Sequence, residues 1–94
     1  MKKFFTVYTK TDCSFCKKAV SLLDERKLPF IVVVMDKNPE FLEKVKKDMK
    51  HDTVPIVIEH INIGEIKVIG GSDNLETYLN STEFVRDWMF IYSN

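Results

Sequence analysis

Two cysteines three positions apart are the residues whose chemistry is easiest to infer from this sequence. Cys13 and Cys16 are the only cysteines among the 94 residues. A bond between them would close a very short loop, so it would add little stability through chain entropy. A secreted protein of this size would need a larger framework of bridges. We therefore interpret the pair as a reactive dithiol in a reducing compartment, and we expect a cytoplasmic protein.

The position of the pair predicts that Cys13 attacks and Cys16 resolves. We expect Cys13 at the N-terminus of a helix, where unpaired N–H groups and the positive end of the helix dipole stabilise a thiolate. Lys10 precedes it, and Lys17 and Lys18 follow, so the local potential is positive. Such surroundings lower a thiol pKa from about 8.5 into the range of about 3.5–7.5. Cys16, one turn further along, should be more buried.

A zinc site is the alternative use of two cysteines. Structural zinc needs four ligands. Besides the two cysteines, the histidines that could serve as ligands are His51 and His60. Neither histidine has a paired spacing. We therefore predict no metal site and expect both histidines at the surface.

The first half of the chain predicts the elements that position the pair. Lys3 to Tyr8 has the residue types of a strand, and a helix then runs from the cysteine pair to about Lys27. The apolar run from Phe30 to Met35 predicts a strand covered on both faces, as in a parallel sheet. Asn38-Pro39 is a typical helix start, followed by an apolar stripe at helical spacing.

The second half predicts a hairpin and two helices. Pro55 to Ile58 is a short strand, Ile61 to Gly64 is a turn, and Glu65 to Ile69 alternates like an exposed antiparallel strand. Asp73 can cap a short helix, and a last helix starts at about Ser81 or Thr82. The predicted order is βαβαββαα, with the first two strands parallel. The fold class is therefore α/β, with a four-stranded mixed sheet flanked by helices.

Composition excludes several other classes. Fourteen basic and fourteen acidic residues cancel, which gives no support to nucleic-acid binding or to a polybasic membrane anchor. The first apolar run is too short for a signal peptide or a membrane span. We expect one domain over residues 1–94, with a core of about 3–80 and a C-terminal helical extension of about 81–94.

The C-terminal extension carries an apolar stripe that we interpret as core packing. We expect a monomer, and a patch left exposed by Phe84, Phe90 and Ile91 would instead suggest dimerisation. The residues of the stripe are Val85, Trp88, Met89 and Tyr92.

Three motifs in order resemble the glutaredoxin family. The run from Tyr8 to Ala19 is similar to its active-site segment, with a lysine three residues before the first cysteine. Thr53-Val54-Pro55 resembles its Thr-Val-Pro element, where the proline is cis, and Ile69 to Leu75 resembles its Gly-Gly-x-Asp-Asp-Leu element. The match covers roughly Phe4 to Leu79. The resemblance implies a thioredoxin-like fold with a βαβαββα core and an extra C-terminal helix.

The resemblance also implies a glutathione-dependent thiol–disulfide oxidoreductase. The backbone of Val54 would pair with the cysteine of glutathione like a short added strand. The first N–H groups of the last core helix would hold the γ-glutamyl carboxylate, and the Asp73 side chain would meet its ammonium. Lys10 would bind the glycine carboxylate. The implied glutathione-binding residues are Lys10, Phe15, Thr53, Val54, Pro55, Gly71, Ser72 and Asp73.

The implied reaction is an exchange of disulfides at Cys13. Its thiolate attacks a protein–glutathione mixed disulfide, and glutathione or Cys16 then releases the bound glutathione. The expected partners are glutathione and disulfide-bearing or glutathionylated proteins, among them a ribonucleotide-reductase type enzyme. Four positions depart from the family pattern, and one of them is Phe15, which replaces the common tyrosine. Ser14 replaces a proline, Asp52 stands where many members have a basic residue, and Asn74 replaces the second aspartate.

Two other functions remain open at this point. One is a thioredoxin-like electron donor that a flavoprotein reductase recharges. The other is a module in which two chains share a [2Fe-2S] cluster through Cys13 and glutathione, because small residues between the cysteines also occur in family members that bind such clusters.

Overall fold

The chain folds into a four-stranded sheet with helices on both faces, as predicted. The structure is a computed structural model that describes residues 3–85. Its elements are β1 (Phe4–Thr9), α1 (Ser14–Glu25), β2 (Phe30–Val34), α2 (Pro39–Met49), β3 (Ile56–Asn62), β4 (Glu65–Gly70) and α3 (Ser72–Leu79).

The strand order is β2-β1-β3-β4. The first two strands are parallel, and β3 pairs antiparallel with both β1 and β4. Both predictions about strand direction are therefore confirmed. Because β1 lies inside the sheet, its carboxyl end delivers the following loop, with Cys13, to a fixed position beside the start of β3.

The larger part of the core lies between the sheet, α1 and α3. Side chains of a strand alternate between the two faces, and Phe5 and Val7 of β1 point to this side. They are fully buried together with Leu23 of α1 and Leu75 of α3. These contacts fix the two helices whose N-termini carry the cysteine pair and the glycine pair.

A smaller core lies on the opposite face, beneath α2. It contains Met35, Val45 and Ile56, with Tyr8 and Leu42 packed against it. Asn38 caps α2, as predicted, because its side-chain oxygen accepts a hydrogen bond of 3.1 Å from the Phe41 N–H. This face supports the strand that follows Pro55.

The prediction that Phe30 to Met35 is covered on both faces is wrong. The strand β2 lies at the edge of the sheet, and among residues 3–85 it pairs with β1 alone. Ile31, Val32 and Val34 are 52%, 43% and 60% exposed. A continuous apolar run indicates a strand, but it does not distinguish a central position from an edge one.

Two predicted boundaries also differ from the structure. The strand β3 continues through Ile61 and Asn62, which we assigned to the turn, so the tight turn is left to Ile63 and Gly64. Gly64 takes a φ of +78°, which a glycine adopts without strain. The helix α3 starts at Ser72, and its N-cap is Gly71 rather than Asp73.

The end of the described chain corrects the expectation for the C-terminal stripe. Residues 82–85 form a further helical turn. Phe84 is buried against Phe5 and Tyr78, so it does not belong to an exposed patch, whereas Val85 is 50% exposed. The other residues of that stripe and patch lie outside the described residues. Among residues 3–85, no helix combines the length and apolar content needed to cross a bilayer.

The histidines are less exposed than we expected. His60 is half-buried on β3, where its ring stacks on Phe4 at 4.1 Å and Nε2 lies 2.7 Å from the Thr6 hydroxyl. Burial lowers the pKa of His60. His51 is also half-buried, and it lies at the candidate site described next.

Candidate active site

Cys13 occupies the N-cap of α1, as the sequence predicts. Its sulfur accepts a hydrogen bond of 3.2 Å from the backbone N–H of Cys16, one of the N–H groups that a helix start leaves without a backbone partner. The two cysteines are joined in a disulfide, with their Cα atoms 5.2 Å apart. Cys13 is half-buried, whereas Cys16 is 4% exposed. Only Cys13 is therefore accessible for a first attack.

The loop before Cys13 is fixed by a carboxylate. The Thr11 N–H donates to both oxygens of Asp36, at 2.9 and 3.1 Å. Hydrogen bonds from the Thr11 side chain and backbone, with the nearby charge of Lys10, hold the pKa of Asp36 below its ordinary value. The residue after Thr11, Asp12, takes the left-handed conformation with a φ of 57°. This loop places Lys10 at the mouth of a groove.

The groove in front of Cys13 brings the predicted ligand-binding residues together. Its volume is about 560 Å³, within the range of small-molecule sites. All the residues that the family resemblance implied for glutathione lie along it, and the buried Cys16 lies behind it. The lining residues are Lys10, Cys13, Phe15, Leu42, Lys46, His51, Asp52, Thr53, Val54, Pro55, Gly71, Ser72, Asp73 and Asn74.

Two walls of the groove are formed by the segment Thr53-Val54-Pro55 and by Phe15. The peptide bond between Val54 and Pro55 is cis, as the resemblance implied. Phe15 is 60% exposed beside Cys13. Its ring therefore does not pack into the buried face of α1 and is available to a ligand.

The third wall, at the start of α3, is arranged differently from the prediction. The side-chain oxygen of Asn74 accepts the Gly71 N–H at 3.0 Å. Ser72 and Asp73 are the first residues of α3, so their N–H groups have no partner within the helix. The Asn74 oxygen lies 2.8 Å from the position of a Cβ on Gly70, whose φ is +114°. A side chain at Gly70 would therefore be strained and would displace this cap.

Lys18 is paired rather than free. Its ammonium lies 3.1 Å from Asp73 and 3.6 Å from Glu76, so it ties α1 to α3. The hydrogen bond to Asp73 and the charge of Glu76 raise the pKa of Lys18. The positive potential that we expected from Lys18 at Cys13 is therefore partly neutralised. Lys17 does not line the groove.

Several groove residues were not predicted as site residues. Leu42 and Lys46 come from α2, four positions apart and therefore on one face of that helix. His51 comes from the loop that follows α2, and Asn74 comes from the first turn of α3. The spacing of Leu42 and Lys46 was visible in the sequence, but only the placement of α2 shows that this edge of its apolar stripe faces the cysteine.

The geometry described so far defines a thioredoxin-like fold, and solved structures share it. Wheat glutaredoxin is similar with a TM-score of 0.72 and 22% identity, over 90% of this chain and 77% of that one. Glutaredoxin 1 from Francisella tularensis, complexed with cacodylate, gives a TM-score of 0.64 and 20% identity, over 84% of this chain and 94% of that one. Glutaredoxin from Brucella melitensis gives a TM-score of 0.66 and 18% identity, over 88% of this chain and 85% of that one.

Sequence comparison gives the family. The glutaredoxin family model matches residues 5–61, which is more than half of the 94 residues. This chain belongs to the glutaredoxin family, and it is a thiol oxidoreductase with a C-x-x-C pair.

Two relatives are named glutaredoxin-like protein NrdH. They come from Lactococcus lactis subsp. cremoris (strain MG1363) and subsp. lactis (strain IL1403). Each is 42% identical over 40 residues, which are 43% of this chain and 56% of that protein. The match therefore spans little more than half the length of these relatives.

Proposed function

We propose that this chain is a cytoplasmic, single-domain, monomeric glutaredoxin that reduces glutathionylated proteins and protein disulfides with glutathione. One observation carries the proposal. The accessible Cys13 opens onto a groove whose walls present the backbone of Val54, a helix N-terminus at Ser72 and a cation at Lys10. These groups complement the peptide backbone and the carboxylates of glutathione.

Cys13 begins the reaction as a thiolate. It attacks the glutathione-side sulfur of a mixed disulfide, so one S–S bond forms, one breaks, and the substrate thiol leaves with the electron pair. A second glutathione thiolate then releases glutathione disulfide. In a second route the Cys16 thiolate attacks the Cys13 sulfur and glutathione leaves as a thiolate, since a Cα separation of 5.2 Å suits an internal disulfide. Two further glutathione molecules later reduce that bond and leave as glutathione disulfide.

The ligand roles follow from the walls of the groove. The backbone of Val54 pairs with the cysteine of glutathione, and Thr53 and Pro55 hold the Val54 backbone in place. The free N–H groups of Ser72 and Asp73 bind the γ-glutamyl carboxylate, while Gly71 leaves room for it. Lys10 binds the glycine carboxylate, and Phe15 covers the sulfur.

A second candidate is an electron donor that a flavoprotein reductase recharges. Two observations favour it. Asp52 brings a carboxylate to the groove where the family commonly has a base. Asp73, the expected partner of the glutathione ammonium, already binds Lys18. In both candidates the proposed protein substrates bear disulfides, and an enzyme of the ribonucleotide-reductase type is one of them.

The reductant that regenerates the oxidised protein separates the candidates. We expect glutathione with glutathione reductase and NADPH to sustain reduction of a glutathionylated peptide. Thioredoxin reductase with NADPH alone should support at most about a tenth of that rate. The reason is that this enzyme does not deliver electrons through glutathione, the ligand that we propose for the groove. Activity with thioredoxin reductase and none with glutathione would instead establish the second candidate.

An iron–sulfur cluster held by one chain alone does not fit the described residues, whereas a cluster shared by two chains would take Cys13 from each chain and glutathione as the other ligands. A [2Fe-2S] cluster is held by four ligands, commonly cysteine thiolates, and Cys13 is the accessible sulfur of the groove, with Cys16 buried and bonded to it. Within residues 3–85 no group of three or more metal-ligating side chains is gathered. We derive no step through a cluster.

A further inference from the structure

His51 holds its ring in a defined orientation in the groove wall. Its Nδ1 lies 2.8 Å from the carbonyl oxygen of Thr53. A carbonyl oxygen only accepts hydrogen bonds, so Nδ1 carries the proton of the neutral ring. The other nitrogen, Nε2, is then the atom that gains a proton and becomes a donor when the ring is charged.

The Nε2 edge of this ring faces the N-cap of α3. Nε2 and Cε1 are each 4.0 Å from the position that a Cβ on Gly71 would take. Gly71 has no Cβ, so no side chain separates the imidazole from the start of α3. Among residues 3–85, Nε2 of His51 has no hydrogen-bond partner, and the ring lines the groove.

Charged groups reach the groove around this ring from several elements. The Asp73 carboxylate is held on the α1 side by Lys18, which does not line the groove. Carboxyl and ammonium groups ordinarily titrate well outside the range from about pH 5.5 to about pH 7.5, whereas imidazole titrates near its middle. The charged groove residues are Lys10 before α1, Lys46 of α2, Asp52 beside His51 and Asp73 of α3.

We propose that His51 determines affinity for glutathione conjugates, because its protonated Nε2–H binds the γ-glutamyl carboxylate beside the start of α3. The inference rests on the proposed function and assigns it an additional binding residue. A charged donor strengthens a hydrogen bond to a carboxylate. Glutathione conjugates should therefore bind more tightly as the pH falls through the titration of the ring.

Binding of S-methylglutathione to a cysteine-free variant (Cys13→Ser, Cys16→Ser) tests this inference by calorimetry. The methyl group prevents thiol exchange, and the ligand's own groups barely titrate in the range used. Affinity should be about fivefold higher at about pH 5.5 than at about pH 7.5. Adding His51→Gln should reduce this change to less than about 1.5-fold, because glutamine does not titrate.

His60→Gln is the matched control, since it makes the same chemical change on β3, at a position far from the groove. His60 pairs with Phe4, whereas the groove lies beyond Thr9. This variant should retain the fivefold pH effect. A reciprocal readout needs no substitution: saturation with S-methylglutathione should raise the pKa of the His51 ring by NMR and leave that of His60 unchanged.

The outcomes separate the inference from the function on which it rests. Binding with the same pH dependence in the His51→Gln variant, or a ring pKa that the ligand does not move, would overturn the role of His51 and leave the proposed function standing. Absence of S-methylglutathione binding at both pH values would contradict both.

Discussion

Replacing Cys13 by serine should reduce turnover of a glutathionylated peptide by about 10³-fold or more. Serine keeps the shape of the N-cap, but its hydroxyl does not ionise in this pH range and cannot form the mixed disulfide. The chemistry is therefore lost while the fold is kept. A coupled assay with glutathione and glutathione reductase measures the rate, and circular dichroism checks the fold.

Cys16→Ser is the matched variant, because it makes the same change one helical turn away. The route in which a second glutathione releases the first does not need Cys16, so much of the activity should remain. Reduction of a protein disulfide that requires the internal Cys13–Cys16 bond should fall far more. Equal loss of both activities in the two variants would contradict the assignment and indicate that both thiols are obligatory.

Leu75→Ala should destabilise the protein by about 2–5 kcal/mol. Leu75 is fully buried on α3, in the core shared with Phe5 and Leu23. Its truncation removes apolar contacts and leaves a cavity that close-packed neighbours fill only partly. A small domain has little free energy of unfolding in reserve. Urea denaturation should therefore show a clearly lower midpoint with a similar slope.

Thr77→Ala provides the control on the same helix. Thr77 is exposed, and alanine has the higher helix propensity, so the free energy of unfolding should change by less than about 1 kcal/mol. If Leu75→Ala were no more destabilising than Thr77→Ala, α3 would not be anchored through this core. The support that we assign to the Ser72 wall of the groove would then be wrong.

The sequence was sufficient to predict the order of the seven elements from β1 to α3 and the place of Cys13 at the start of α1. Alternation and helical spacing report which side chains a strand or helix buries, and Asn38-Pro39 marks a helix start through local hydrogen bonding. The position of Cys13 depends on the strand before it and the helix after it, both of which have clear local patterns. The groove residues at Thr53 to Pro55 and Gly71 to Asp73 came from the family resemblance.

Features that depend on contacts distant in sequence could not be predicted. Whether the run from Phe30 lies at the edge of the sheet is decided by β3, which takes the other side of β1. The pairing of Lys18 with Asp73 joins residues 55 positions apart. The start of α3 at Ser72 was missed for a local reason instead, since two caps were plausible and the Asn74 side chain, three positions away, binds the Gly71 N–H.

Titration of the reduced Cys13 thiol tests the central claim most directly. In a Cys16→Ser protein, the ultraviolet absorbance of the thiolate reports a single sulfur as the pH is raised. The N-cap position and the Cys16 N–H, which remains in that variant, should place the midpoint below about pH 7.5. A midpoint at about 8.5, the value of a free thiol, would contradict the account of Cys13 as an activated nucleophile.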